Sequence, residues 1–180
     1  KDWLQKHFRV SVSQSENTNL ENFTAQLQTL IELTSNSELA MELERTGSVL
    51  AALLGLSQPG SLYEQLNAKE RYENTFIALS TLLRAESLQK PLVLFIEDIQ
   101  WLDEDTRSFL PYFVRSALAE PDVKYPIAIL ATQRPEGDDI KFDVIKPQFL
   151  DLDRLPSSEL SHLAEHVLDG PVSVHLLELL

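Results

Sequence analysis

Residues 91–110 read PLVLFIEDIQWLDEDTRSFL, and their order decides the fold. Leu92 to Ile96 are apolar at every position, which is the pattern of a strand in a parallel sheet covered by helices rather than of a half-solvated strand. Two acids, Glu97 and Asp98, end the run. A second run of the same kind, Pro126-Ile127-Ala128-Ile129-Leu130-Ala131, follows about thirty residues on. Between the two, Leu110, Phe113, Val114, Ala117 and Leu118 recur at helical spacing, so residues 92–131 predict a βαβ unit with Pro111 as a point of kinking.

Outward from that unit, the N-terminal half predicts helices. Leu20, Phe23, Leu27, Leu30 and Ile31 mark one, with Thr18-x-x-Glu21 in capping-box form before it. A second runs from Ser37 through Leu39, Leu43, Val49 and Leu53 toward Pro59-Gly60, with Gly47 as a point of interruption. Residues 61–66 suggest a short turn, and Tyr72, Phe76, Leu79 and Leu83 a longer helix ending near Leu88. Phe8–Val12 and Gln148–Leu152 are further strand candidates, and residues 157–168 and 173–180 helical ones. The sequon Asn22-Phe23-Thr24 falls on a helix.

Composition narrows the function classes. The 180 residues hold 28 acidic against 15 basic side chains, a net charge of −13. A basic stripe that would neutralise phosphates is absent, so direct nucleic-acid binding is not expected. Nor is there an apolar run of the ~20 residues that a membrane span needs, or the pattern of a signal peptide at the start. The absence of cysteine excludes a disulfide framework and makes the cytoplasm the expected compartment. The first residue is Lys1, from which an excerpt of a longer chain is expected.

The acids after the first strand carry the sharpest chemistry. Ligands of open α/β sheets bind beyond the carboxyl ends of strands, where two adjacent carboxylates can hold a hydrated Mg²⁺ and polarise a water. Equally, acids can end a strand and cap the next helix, Asp103 as N-cap and Glu104 and Asp105 in its first turn.

The longer segment resembles the Walker B region of the STAND ATPases, signal-transduction ATPases related to the AAA+ proteins. Pro91, the Glu97-Asp98 pair, Trp101, Asp103 and Thr106 or Ser108 stand where that pattern has its Pro-led strand, acids, tryptophan, further acid and hydroxyl. ERYENTFIALSTLLRAESLQK (70–90) is similar to the helix leading into the strand, IAILATQRPEG (127–137) to the next strand and its sensor-like arginine, and FLDLDRLPSSELSHLAEHVLDG (149–170) to the last strand and the opening of a helical lid. The resemblance covers about residues 70–170.

It implies a partial P-loop NTPase core over residues 1–153, with a helical insertion at about 14–66 and the start of a lid at 154–180. ATP and Mg²⁺ are the implied cofactors. Glu97 takes the metal side and Asp98 acts as base or water-orienting residue, in either order. Arg134 lies near the γ-phosphate, and Asp103 serves either the nucleotide or the helix cap. The implied setting is an ATP-dependent conformational switch attached to other domains of a signalling or transcription-regulating protein. A phosphate-binding loop, G-x-x-x-x-G-K-[ST], is not among these residues: none of the five glycines precedes a lysine. The resemblance puts that strand between those near 126–131 and 148–152, so unpaired edges and self-association are expected of this chain. The alternative is a catalytically inactive, acidic α/β interaction module.

His162-Leu163-Ala164-Glu165-His166 has the H-x-x-E-H form of an inverted zincin, with Glu178 as the nearest further ligand, so a zinc hydrolase is a third reading. Its apolar positions also fit an ordinary amphipathic helix. The acids Asp138, Asp139, Asp143, Asp151 and Asp153 lack the frame of a calcium loop and read as solvated faces. A G-x-S-x-G elbow is absent.

Overall fold

The computed structural model describes residues 2–119, 122–134, 137, 140–152, 155–173 and 175. They form two units, residues 1–145 and 146–180. In chain order the first unit runs α1 (Asp2–His7), α2 (Glu16–Leu33), α3 (Ser37–Leu53), α4 (Leu62–Gln65), α5 (Ala68–Gln89), β1 (Leu92–Ile96), a 3₁₀ turn (Ile99–Trp101), α6 (Glu104–Leu118) and β2 (Ile127–Ala131). Its fold class is α/β, as expected: β1 and β2 pair in parallel, with Leu92 opposite Ile127 and Ile96 opposite Ala131.

The helices begin where the sequence offers acceptors for their first free amides. Ser15 caps α2, its hydroxyl accepting from the Thr18 amide at 3.2 Å. The helix thus starts earlier than a cap at Thr18 would have it, and Thr18 lies inside its first turn, its hydroxyl bonded to that of Ser15. Asn36 caps α3. Asn67 and Glu70 form a reciprocal capping box at the head of α5.

Gly47 does not interrupt α3. It is buried, and a Cβ there would stand 2.7 Å from Leu27 Cδ2, so its bare backbone is what lets α2 and α3 close on one another. The helix ends instead at Gly55, whose φ of +81° gives the left-handed turn that returns the Leu56 amide to the Ala51 carbonyl.

Phe8–Val12 is not a strand. Phe8 and Val10 are buried, but as the exit of α1: Arg9 takes φ 55°, and the Val10 amide reaches back to the Gln5 carbonyl at 2.8 Å. This is the same left-handed ending, reached here without glycine. Alternate burial at 8 and 10 arises from a tight helix exit as readily as from a pleat.

Phe8, Phe23, Leu43, Val49, Leu50 and Leu82 are fully or almost fully buried in the core shared by α1, α2, α3 and α5. Each such side chain removed from water is worth about 1.5–3 kcal/mol. His7 ties α1 to α5 through Glu86 at 3.2 Å. A second apolar group gathers between α5 and α6, where Phe76 packs edge-on against Phe109 and Phe109 stacks on the buried Phe113. The helix α5 serves both groups, which is why Ala78, Ser80, Thr81, Leu82, Ala85 and Ser87 are all buried on it.

The strands are not buried on both faces. Leu92, Leu94 and Ile96 are partly covered, whereas Val93 and Phe95 are 58% and 60% exposed and Leu130, opposite Phe95, is 57% exposed. Helix α5 packs against β1 on the covered face. No described element of this unit covers the other face.

In the second unit, α7 spans Ser157–Leu168, as the periodicity predicts, and ends at Asp169 with φ 52°. Gln148–Leu152 pairs with no strand, and Phe149, Leu150 and Leu152 are exposed. An apolar sequence becomes a strand only when a neighbouring strand accepts its backbone, and the second unit has no described strand to do so. The helix expected at 173–180 falls outside the described residues except at Ser173 and His175. No described helix is long and apolar enough to cross a membrane.

Candidate functional site

The parallel register carries β1 and β2 to one rim, where Glu97 follows Ile96 and Thr132 follows Ala131. Thr132 joins the two strand ends. Its amide donates to the Ile96 carbonyl at 3.0 Å, its carbonyl accepts the Ile99 amide at 2.9 Å, and its hydroxyl oxygen accepts the Asp98 amide at 3.0 Å. Asp98 has φ 52° and ψ 54°, a left-handed backbone that Asp tolerates better than most residues. A non-glycine residue held there by several bonds is the kind of strain that collects at functional sites.

Gln100 then connects the loops. Its amide Nε2 donates to Asp98 Oδ1 at 3.0 Å, and its Oε1 accepts the Arg134 amide at 3.3 Å. Asp98 and the backbone of Arg134 therefore lie on one hydrogen-bonded path. Glu97, Asp98 and Arg134 are all exposed at this rim.

Asp103 starts α6. Its Oδ1 accepts the Thr106 amide at 2.8 Å, and its Oδ2 accepts the Thr106 hydroxyl at 3.0 Å. The Thr106 amide, with the hydroxyl second, holds the Asp103 carboxyl below its ordinary range by favouring the charged form. Four residues into the helix, Arg107 donates to the Ile99 carbonyl at 3.2 Å, so α6 also pins the 3₁₀ turn between the acids. Trp101, in that turn, is 74% exposed.

Two adjacent carboxylates on a rim are an incomplete metal site by themselves. Mg²⁺ is commonly held by one or two carboxylates, waters and substrate phosphates, a donor set that Glu97 and Asp98 fit. Among the described residues no cluster of three or more His, Asp or Glu side chains forms a metal site. His162 and His166 are exposed on α7, and Glu178 lies outside the described residues. Asp143 pairs with Arg115 at 2.7 Å, which holds its carboxyl low. Asp138, Asp139 and Asp153 are outside the described residues. Two cavities, of about 440 and about 240 Å³, lie around Gln5, Val10 and Ser11, away from the rim.

The AAA ATPase domain family matches residues 3–129, well over half of the chain. The chain belongs to that family. The match takes in the N-terminal helices as well as β1, both acids, α6 and most of β2, so it reaches further upstream than the resemblance at 70–170 and stops before Thr132 and Arg134. No curated protein and no solved structure matches the chain.

Gln100 and Thr132 are the residues that reasoning from sequence alone left out. Thr132 could have been found from strand register, since equal-length runs put it beside Glu97. Gln100 has no such signal: its role arises from the way the 3₁₀ turn folds its amide back between two loops.

Proposed function

We propose that β1 with Glu97 and Asp98 is the Walker B strand of this AAA-family ATPase domain. Glu97 and Asp98 hold the Mg²⁺ of an ATP complex, and Asp98 orients or deprotonates the attacking water. Arg134, on the loop after β2, attends the γ-phosphate. Asp103 fixes the start of α6 behind the acids. In this reading the domain works as a STAND-type switch, slow ATP hydrolysis setting the conformation of a larger signalling or transcription-regulating protein, with residues 154–180 as the start of its lid.

The observation that carries the reading is the path Asp98–Gln100–Arg134 at the carboxyl ends of two parallel strands, where ligands of α/β sheets bind. Phosphate itself is held by a glycine-rich loop and its lysine, and these 180 residues contain no G-x-x-x-x-G-K-[ST]. Mg·ATP binding by this chain is therefore weak, and hydrolysis belongs to a protein that joins it to such a loop. Calorimetry with the 180-residue chain tests the first half, since micromolar affinity contradicts it. Asp98→Asn in the P-loop-bearing protein tests the second. Hydrolysis should fall well before ATP affinity does, and a wild-type rate rules out the assignment.

A further inference from the structure

We propose that Gln100 is a positioning residue that locks the Asp98 carboxylate to the loop after β2, so that the acid and the Arg134 segment hold one geometry. This rests on the reading of Asp98 as the acid that orients the water. Asp98 stands on a left-handed backbone directly after a strand, and its carboxylate has two oxygens to place. Gln100 Nε2 takes one of them at 3.0 Å. The same amide group uses its oxygen on the Arg134 N–H at 3.3 Å.

Only a side chain that donates at one atom and accepts at another can serve both partners, and an amide does so. The Gly137 amide turns back to the Arg134 carbonyl at 3.0 Å, and a Cβ at Gly137 would stand 3.1 Å from Gln100 Cβ and 3.2 Å from that carbonyl. Gly137 therefore lies directly against Gln100. Because a carboxylate acting on water works only within a narrow geometry, a side chain that fixes one of its oxygens bears on turnover more than on nucleotide affinity.

Two substitutions separate the halves of the tie. Gln100→Ala removes both bonds. Gln100→Glu keeps an acceptor for the Arg134 amide, loses the donor to Asp98 and sets a like charge beside it. In the 180-residue chain, hydrogen exchange at the Arg134 amide should quicken about fivefold in Gln100→Ala, the loss of one ordinary hydrogen bond. It should stay near the wild-type rate in Gln100→Glu. In the P-loop-bearing protein both variants should lower kcat for ATP about tenfold or more, with KM little changed.

Asp98→Asn run alongside distinguishes the failures. If it abolishes hydrolysis while both Gln100 variants turn over at the wild-type rate, the positioning role is wrong and the Walker B reading stands. If Asp98→Asn itself hydrolyses normally, the Walker B reading fails and the hydrolytic role of Gln100 falls with it. Unchanged Arg134 exchange in Gln100→Ala overturns the tie whatever the hydrolysis data show.

Discussion

The hydroxyl oxygen of Thr132 accepts the backbone amide of Asp98 at 3.0 Å, which joins the first residue past β2 to the second residue past β1. One side chain thereby holds the strained backbone from which the Asp98 carboxylate projects. Thr132→Val keeps the shape and removes the acceptor. Because both residues are exposed, water partly replaces it, and the expected loss is about 0.5–1 kcal/mol. Faster exchange of the Asp98 amide in Thr132→Val, restored by Thr132→Ser, is the check. Equal exchange in both variants means the bond holds nothing.

The left-handed backbone at Asp98 also separates substitutions that are otherwise alike. Asn accepts φ near 52° with little strain, whereas Ala in that region costs roughly 1–2 kcal/mol. Asp98→Asn should therefore melt close to the wild type, and Asp98→Ala measurably lower. Thermal unfolding of the two variants decides it. Any loss of hydrolysis in Asp98→Asn then reports chemistry rather than folding.

Arg9 offers the converse test. It occupies the left-handed position that ends α1, where glycine is the usual residue, and its side chain is exposed. Arg9→Gly should stabilise the chain by about 1 kcal/mol, since the relief of strain outweighs the added freedom of the unfolded chain. Urea unfolding with an unchanged slope and a higher midpoint is the expected result. A lower midpoint would show that the Arg9 side chain contributes more than its backbone costs.

These positions also show where the sequence was legible. The βαβ unit could be read because β1 and β2 are continuous apolar runs separated by one amphipathic helix, and α3 and α5 because their apolar positions keep step over four turns or more. Phe8–Val12 misled, because burial of Phe8 and Val10 has a two-residue period whether the chain is pleated or leaves a helix through Arg9. Gln148–Leu152 misled for another reason: strand formation depends on a partner's backbone, which no local pattern encodes. At the rim, the place of Glu97 and Asp98 directly after an apolar strand can be read from the sequence. Gln100 and Thr132 act through hydrogen bonds between segments more than thirty residues apart in sequence, which spacing alone does not reveal.

Acid should loosen the start of α6. The folded-state value of Asp103 lies below that of the unfolded chain, because the Thr106 amide and then its hydroxyl favour the carboxylate. The cap's contribution is therefore full above the ordinary Asp range near pH ~3.9 and is lost as pH falls through the lower folded value. The Thr106 amide resonance should titrate with a midpoint below that range. Asp103→Asn, which keeps a neutral acceptor for the Thr106 amide, should abolish the titration. A Thr106 midpoint at or above the ordinary Asp value contradicts the cap.

The uncovered face of the sheet sets the solution behaviour of the 180-residue chain. Val93, Phe95 and Leu130 are each more than half exposed, and Phe95 and Leu130 are partners across the β1–β2 ladder, so their side chains form a contiguous apolar surface. Burial of such a surface against a second molecule is favoured by the hydrophobic effect and opposed by the net charge of −13. Salt decides between them, since the screening length falls from about 10 Å at 0.1 M to about 3 Å at 1 M while apolar attraction does not weaken. Light scattering should therefore show association that rises with both protein and salt concentration. Replacing Phe95 and Leu130 together by Thr should suppress it, with little change in the melting temperature, because neither side chain is buried in the core. A chain that stays monomeric in 1 M salt and binds no hydrophobic dye would overturn the reading of this face as an open apolar surface.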